Sequence, residues 1–275
     1  MALWKRIEAL RAWGYWIESS RKGYALVRDD GLAPADLPPP VRVLAETAST
    51  MDEARDWGAA GAPSGAAVLA LRQSAGRGRG GRRWESPGGG LYLSLVLRSV
   101  LPAACAGALV LEAARSLLEA LESSGIRGIS FRWPNDIVAG PRKLGGILAE
   151  SYGGLDRPEH YVLGIGLNTA PVEVPGRAAA GLAELAPGTP RRRDLALGLS
   201  ESLRAWCGRP DTDPRRWAGL EPDPRRPARA ELWDGRILAI RPRGYTARGE
   251  LSRGDSGPAL AYGECRKMTY EGEEP

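Results

Sequence analysis

A run of glycine and arginine residues is the feature of this sequence best suited to chemistry. From Gln73 to Trp84 the chain reads Gln-Ser-Ala-Gly-Arg-Gly-Arg-Gly-Gly-Arg-Arg-Trp. Glycines without Cβ atoms let backbone N–H groups approach an anion, and arginines neutralise phosphate or carboxylate charge. No Gly-Lys-Ser/Thr follows, so the run is not a Walker loop, nor does it open a helix like a dinucleotide-binding turn. Composition alone fits an Arg/Gly RNA-binding tract equally well. Because the run joins two apolar strand candidates, residues 66–71 and 91–97, we favour an ordered anion-binding loop.

A second group of chemistry-bearing residues follows at 132–148. It reads Arg-Trp-Pro-Asn-Asp up to Asp136, and Arg-Lys-Leu-Gly-Gly-Ile-Leu from Arg142. A hairpin turning at Gly140 would bring Asp136 and Lys143 onto neighbouring strands. Only four of the 38 basic residues are lysines, so a lysine in this apolar region suggests that a compact point charge is needed there.

Two glycines interrupt a third, strand-like segment, Gly164-Ile-Gly-Leu-Asn168. Glycine inside a strand indicates that something approaches the backbone closely. Taken alone, tight packing against neighbouring backbone explains these glycines best.

The elements that must position these residues alternate between strand-like and helix-like runs over residues 41–208, which predicts an α/β domain. Thr50 with Glu53 forms a predicted capping box for a short helix that Gly58 or Gly61 closes. Further strands are predicted at 41–44, 66–71, 91–97, 147–151 and 161–167, and further helices at 103–124 and 194–207.

Shorter units flank this domain. Residues 1–28 predict a helix that stops at Gly14, followed by a hairpin, and residues 29–40 predict a linker. A second linker is predicted from 209 to 227. The glycine-punctuated β-like runs from 230 to 268 suit a small all-β barrel.

Composition excludes several function classes. The chain has 275 residues, 43% of them hydrophobic and 26% charged, and a net charge of +5 that permits an acidic partner without requiring one.

Three cysteines lie far apart and give neither a disulfide framework nor a thiolate zinc site. The single histidine, His160, leaves little room for histidine catalysis, and we predict that it is exposed at the start of a strand. With no membrane segment or export signal, these features predict the cytoplasm.

Together the three clusters resemble the biotin protein ligases. The family's glycine-arginine loop is matched from Gly76 to Trp84, its WPND element by Trp133 to Asp136, and its KLxGIL element by Lys143 to Leu148. Three ordered motifs at the family's spacing make a specific resemblance over residues 41–270. It implies a catalytic core related to class II aminoacyl-tRNA synthetases and lipoate ligases, and an SH3-like C-terminal barrel. The implied domains are 41–227 for catalysis and 228–275 for the barrel.

The resemblance also implies roles for individual residues. The biotin pocket would be lined by Ser49, Thr50, Gln73, Gly76, Arg77, Gly146 and Leu148. The ATP or adenylate side would be formed by Gly78, Arg79, Trp84, Asn135, Lys143 and Asn168. Arg79 would face the adenylate phosphate, Trp84 would cover the adenine, and Lys143 would bridge the biotin carboxylate and the phosphate. Met51 departs from the asparagine that such ligases commonly have after Ser-Thr.

The chemistry implied by this family agrees with the residue types. A carboxylate that attacks the α-phosphate of ATP meets another anion, so the site needs cations rather than a protein nucleophile. Arg77, Arg79 and Lys143 supply them, with Mg²⁺ expected on the outer phosphates. The biotinoyl-adenylate then reacts with a lysine of a biotin carboxyl carrier protein, and Asp136 is a candidate to hold Lys143 or orient the incoming amine.

Residues 4–27 resemble the last helix and wing of the winged helix in biotin-sensing repressor ligases. Its first helices are absent from the sequence, which argues against DNA binding unless the true N-terminus is longer. The alternatives are therefore a biotin-responsive repressor and, within enzymes, a lipoate ligase. A homodimer is a further expectation from the family.

Overall fold

The computed structural model describes residues 3–13, 15–33, 37–38, 40–170, 172, 178–186, 188–220, 226–254 and 257–272. Its helices are α1 Leu3–Ala12, α2 Thr50–Ala59, α3 Ala106–Ser123 and α4 Arg192–Gly208. Its first nine strands are β1 Trp16–Ser20, β2 Gly23–Arg28, β3 Val41–Leu44, β4 Ala66–Ala70, β5 Leu91–Leu97, β6 Ile129–Arg132, β7 Asp136–Ala139, β8 Arg142–Gly153 and β9 Pro158–Leu167. The C-terminal strands are β10 Ala228–Leu232, β11 Ile237–Ile240, β12 Pro242–Tyr245, β13 Leu251–Arg253 and β14 Cys265–Tyr270.

A seven-stranded mixed sheet forms the centre of the fold, with strand order β3-β4-β5-β9-β8-β7-β6. Only β3 and β4 pair in parallel, and the remaining neighbours are antiparallel. The predicted α/β class is therefore confirmed as a mixed sheet with helices.

Both faces of the central strands are covered, which explains why β4 and β5 are buried along their whole length. In β4, Ala67 and Leu69 face the main core, while Ala66 and Val68 face a smaller cluster that includes Met51 of α2. This alternation follows from the two-residue period of a strand.

The long helix α3 contacts α4 and strand β8. Its buried face contains Leu109, Ala113, Leu117 and Leu121, which recur at helical spacing as predicted from the sequence. Glu112 is also fully buried on this helix and accepts hydrogen bonds from Arg115, Arg216 and Trp217.

The predicted N-terminal helix and hairpin are confirmed as α1 followed by the antiparallel pair β1 and β2. The predicted stop at Gly14 lies outside the described residues. Among the described residues, both predicted linkers contain ordered parts that contact the core. Leu32 is 1% exposed, and Trp217, in the 3-10 segment Pro214–Leu220, is completely buried.

The C-terminal strands pair as a three-stranded sheet, β11-β10-β14, and a separate two-stranded sheet, β12-β13. Within the described residues these sheets do not close on each other, so the predicted barrel is not confirmed. The glycine punctuation correctly indicates short strands. It carries no information on whether their edges pair.

His160 differs from its prediction, because it lies inside β9 and is 2% exposed. Its ring stacks on Tyr152 of the neighbouring strand with centroids 5.2 Å apart, and burial lowers its pKa. Across the described part of the chain, no helix has the length and apolarity to cross a bilayer.

Candidate functional site

A pocket opens where the N-terminus of α2 and strands β5, β8 and β9 meet the glycine-arginine loop, defined here as residues 76–84. The side chains of Arg77, Arg79, Arg82, Arg83 and Lys143 line it, and the described lining contains no aspartate or glutamate. The other predicted site residues in this lining are Ser49, Thr50, Gln73, Gly78, Trp84, Asn135, Gly146 and Leu148. The pocket is therefore positively charged where these side chains lie, and this charge suits an anionic ligand.

Small polar groups form a connected network at the inner side of the pocket. Gln73 Oε1 accepts hydrogen bonds from the Thr50 backbone nitrogen at 2.8 Å and from the Thr50 hydroxyl at 3.1 Å. Gln73 Nε2 donates to Ser86, and the Thr50 and Ser94 hydroxyls lie 2.8 Å apart. Such a network presents donors and acceptors at fixed positions.

The predicted capping residue of α2 is wrong by one position. Ser49 has the extended N-cap conformation, and its hydroxyl accepts a hydrogen bond from the Met51 nitrogen. Thr50 is already helical and turns its side chain toward Gln73. Both residue types favour an N-cap, so only the distant contact with Gln73 distinguishes them.

Both strand glycines at 164 and 166 make room for bulky side chains. A Cβ atom at Gly164 would lie 2.8 Å from the Met51 sulfur, and one at Gly166 would lie 2.7 Å from the Trp84 indole. The predicted close approach to these glycines is therefore made by side chains rather than by neighbouring backbone.

Lys143 and Asp136 meet as the hairpin prediction requires. Val138 pairs with Lys143 across β7 and β8, and Lys143 Nζ lies 2.5 Å from Asp136 Oδ1. The ammonium also lies 5.2 Å from the centre of the Trp84 ring. Asp136 does not line the pocket itself and reaches it through Lys143.

Arg77 is held by two carboxylates, Asp52 at 3.0 Å and Glu150 at 2.6 Å. Burial alone would lower the pKa of Arg77, but Glu150, Tyr152 and Asp52 raise it above its usual value. Burial and the hydrogen bond to Glu150 raise the pKa of Tyr152 to about 12. Arg77 is therefore a charged side chain that its two ion pairs hold in position at the site.

Arg79 makes its hydrogen bonds to other parts of the protein, and its expected contact with the adenylate phosphate stays a prediction. Its side chain lines the pocket but is 5% exposed, and Nη2 donates to the carbonyls of Tyr262 at 2.5 Å and Cys265 at 2.6 Å. Nη1 donates to Asn135 Oδ1 at 3.3 Å. A buried guanidinium needs acceptors for its several donors, and distant backbone provides them here.

The remaining predicted residues surround the pocket at different depths. Asn135 also donates to the Ile147 carbonyl, which fixes its amide. Asn168 lies in an adjoining hollow beside Trp84 and Lys143, and its amide donates to the Ala180 carbonyl. Gly76 does not line the pocket, and a Cβ there would meet the Trp84 carbonyl at 2.5 Å.

Several lining residues were not predicted as site residues, among them Arg82, Arg83, Tyr92, Ser94 and Ile147. Ser94 carried a usable signal, because it is the one polar residue in the apolar run 91–97. Tyr92 and Ile147 look like ordinary core residues, and nothing local distinguishes them.

Comparisons with known proteins point to one family. Residues 43–168 match the sequence model of the biotin/lipoate A/B protein ligase family. Over 179 residues the chain is 35% identical to the bifunctional ligase/repressor BirA of Bacillus spizizenii, a match that covers 61% of this chain and 55% of that protein. It is 40% identical over 130 residues to the biotin--[acetyl-CoA-carboxylase] ligase of Paracoccus denitrificans, covering 46% and 54% of the two chains.

A solved structure of similar fold is the biotin protein ligase from Aquifex aeolicus in complex with biotin and ATP. The TM-score is 0.65 at 23% identity, covering 85% of this chain and all of that one. The alignments with the two sequence relatives, in contrast, span little more than half of each relative's length.

Proposed function

We propose that this protein is a biotin protein ligase, because its residues 43–168 match the biotin/lipoate A/B protein ligase family. In the proposed reaction, a biotin carboxylate oxygen attacks the α-phosphorus of ATP. A new O–P bond forms, the bond from the α-phosphorus to the oxygen bridging it to the β-phosphorus breaks, and the products are biotinoyl-5′-AMP and pyrophosphate. A lysine amine of a carrier protein then attacks the carbonyl carbon, an amide forms, and AMP leaves.

The observation that carries this proposal is the charge of the pocket, which is lined by Arg77, Arg82, Arg83 and Lys143 together with Arg79. Two negatively charged substrates must approach each other within bonding distance. Preorganised cations in a partly dehydrated site lower the cost of that approach more than mobile water does. No thiol, imidazole or carboxylate lines the described pocket as a nucleophile, which agrees with direct attack by the substrate.

Lys143 is proposed to bridge the two anions. Its ammonium is a point charge that Asp136 and the Trp84 ring hold from two sides. The proposed role of Arg79 changes with its contacts, because its guanidinium is occupied by carbonyl oxygens and Asn135. We assign Arg79 to holding the loop in shape, and phosphate contact to Lys143 and the loop residues Arg82 and Arg83.

The inner network is proposed to bind the biotin ring through Ser49, Thr50 and Gln73. Met51 replaces the asparagine that similar ligases commonly carry and adds an apolar surface over Gly164. Within the described residues, the buried indole N–H of Trp84 has no hydrogen-bond acceptor. A ligand oxygen or nitrogen would satisfy it, which supports ligand binding beside this ring.

For the transfer step, Asp136 is proposed to hold Lys143 in position, and orienting the incoming lysine amine is its alternative role. A Mg²⁺ ion is expected with ATP. Among the described residues, no group of three His, Cys, Asp or Glu side chains is arranged to hold a metal. Mg²⁺ usually keeps several waters and is bound through substrate phosphates and one or two carboxylates, so a cluster of three side chains is not required.

The proposed partner is the biotin-accepting domain of a carboxylase, and the proposed location is the cytoplasm. We also propose a homodimer, a catalytic unit at 41–227 and a C-terminal unit from 228. Lipoate ligation is the enzymatic alternative within the same family, and biotin-responsive repression is a less favoured one.

The test is incubation of the full chain with ATP, Mg²⁺ and a biotin carboxyl carrier domain, once with biotin and once with lipoate. The expected result is a carrier mass increased by one biotinyl group, with no lipoyl product. Lipoylation without biotinylation would replace the proposal with the lipoate alternative. The absence of both products would contradict it.

A further inference from the structure

The glycine-arginine loop contacts two aromatic side chains of the C-terminal unit, Trp233 and Tyr262. Gly80 has a φ of +62°, and its backbone lies so close to Trp233 that a Cβ there would be 2.1 Å from the indole ring. The Arg82 guanidinium lies 5.5 Å from the centre of the same ring. Trp233 therefore covers one side of the loop.

Tyr262 contacts the loop through Arg79. The Arg79 guanidinium lies 4.5 Å from the centre of the Tyr262 ring and donates to the Tyr262 carbonyl. A second donation reaches the Cys265 carbonyl at the start of β14. These contacts join residues more than 180 positions apart in the chain.

The two aromatic residues belong to turns that are joined to each other. The Trp233 nitrogen donates to the Glu264 carbonyl at 3.1 Å, and the Glu264 nitrogen donates to the Ala261 carbonyl at 3.1 Å. A loop rich in glycine has many conformations available, so it loses more entropy on ordering than most segments do. Contacts made before the substrate arrives reduce that cost at the time of binding.

We propose that Trp233 and Tyr262 are positioning residues that hold the glycine-arginine loop in its substrate-binding shape. The C-terminal unit then acts on catalysis through the loop and touches no reacting atom. This inference rests on the proposed function for its kinetic readout, whereas its structural readout needs no substrate.

The structural test is hydrogen exchange of the loop amides in the full chain. The Gly78 nitrogen donates to the Arg82 carbonyl at 2.7 Å, and the Trp84 nitrogen donates to the Gly76 carbonyl at 2.8 Å. Trp233→Ala should speed exchange of both amides about tenfold or more, while the amides of β5 keep their protection. Tyr270→Ala is the matched control, because Tyr270 contacts Arg226 with a similar ring-to-guanidinium distance of 5.4 Å away from the loop.

A second variant pair tests the contact from the loop side. Gly80→Ala places a methyl group into the Trp233 ring. Gly81→Ala has a similar backbone strain, because its φ is +73°, but its methyl group would point into open space. We expect faster exchange of the loop amides for Gly80→Ala than for Gly81→Ala. In a Trp233→Ala background this difference should disappear, because the ring that the methyl group meets is gone.

In kinetics, Trp233→Ala should raise the KM for ATP about tenfold and leave the KM for biotin within about twofold. Trp233→Phe should bring the KM for ATP most of the way back to the wild-type value. Equal loop exchange in Trp233→Ala and Tyr270→Ala would overturn the inference. So would a Trp233→Ala chain that keeps the wild-type KM for ATP. A wild-type chain without biotin-dependent pyrophosphate release would refute the proposed function alone, and the exchange results would still decide on the loop.

Discussion

Replacing Lys143 by alanine removes the ammonium on which the proposed activation of biotin depends. Lys143 Nζ lies 2.5 Å from Asp136 Oδ1, and both side chains are 29% exposed. For unit charges roughly 4 Å apart at an effective dielectric of about 20, the interaction is about 4 kcal/mol. Part of it is lost to solvent and to competition with Asp136. A remaining contribution of about 2.7 kcal/mol to the transition state corresponds to about a hundredfold change in rate.

The assay is single-turnover release of pyrophosphate from ATP with saturating biotin. We expect Lys143→Ala to slow this step at least about a hundredfold, and Lys143→Arg to recover only part of the rate because its planar fork does not replace a point charge. Lys267→Ala is the matched control, since Lys267 is an exposed lysine on strand β14. Pyrophosphate release by Lys143→Ala at the rate of Lys267→Ala would refute the bridging role.

Three further predictions concern stability, pH and the pocket glycines. Glu112→Gln should cost about 2 kcal/mol in urea unfolding because a neutral amide replaces the buried carboxylate that accepts hydrogen bonds from Arg115 and Arg216; a loss below about 0.5 kcal/mol would contradict this expectation from charge-assisted hydrogen bonds. Because burial lowers the pKa of His160, the unfolded chain takes up its proton first, and stability falls as the pH drops through about 6.5. His160→Phe should therefore lose less Tm than wild type between pH 7.5 and 5.5, and an equal loss would oppose it. Gly166→Ala should displace Trp84 and weaken ATP binding about tenfold or more by calorimetry. Gly154→Ala, in the turn between β8 and β9, is the control and should bind ATP like wild type. Equal ATP affinities of Gly166→Ala and Gly154→Ala would contradict the displacement of Trp84.

Much of the fold could be predicted from local patterns. The apolar run 91–97 gives β5 with the predicted bounds, and the leucine spacing after residue 106 gives the buried face of α3. The hairpin that brings Asp136 and Lys143 together also follows from sequence, because a turn at Gly140 fixes the register of its strands. These features depend on residues close together in the chain.

The features that sequence did not predict depend on distant partners. His160 is polar at the edge of an apolar run, but it is 2% exposed and its ring stacks on Tyr152 of the neighbouring strand. Trp217 lies in a segment rich in proline and arginine that resembles a linker, yet it contacts Glu112 on α3. Arg79 likewise turns to Tyr262 because the C-terminal strands pack beside the loop, and no local pattern records that arrangement.

The central claim is that the cationic pocket joins biotin to the α-phosphate of ATP. Its most direct test is exchange of labelled pyrophosphate into ATP by the full chain, with and without biotin and without any carrier protein. We expect exchange that requires biotin and that lipoate does not replace, together with a biotinoyl-adenylate identified by mass spectrometry. Exchange that is independent of biotin, or no exchange by a folded chain that binds both ligands, would contradict the account.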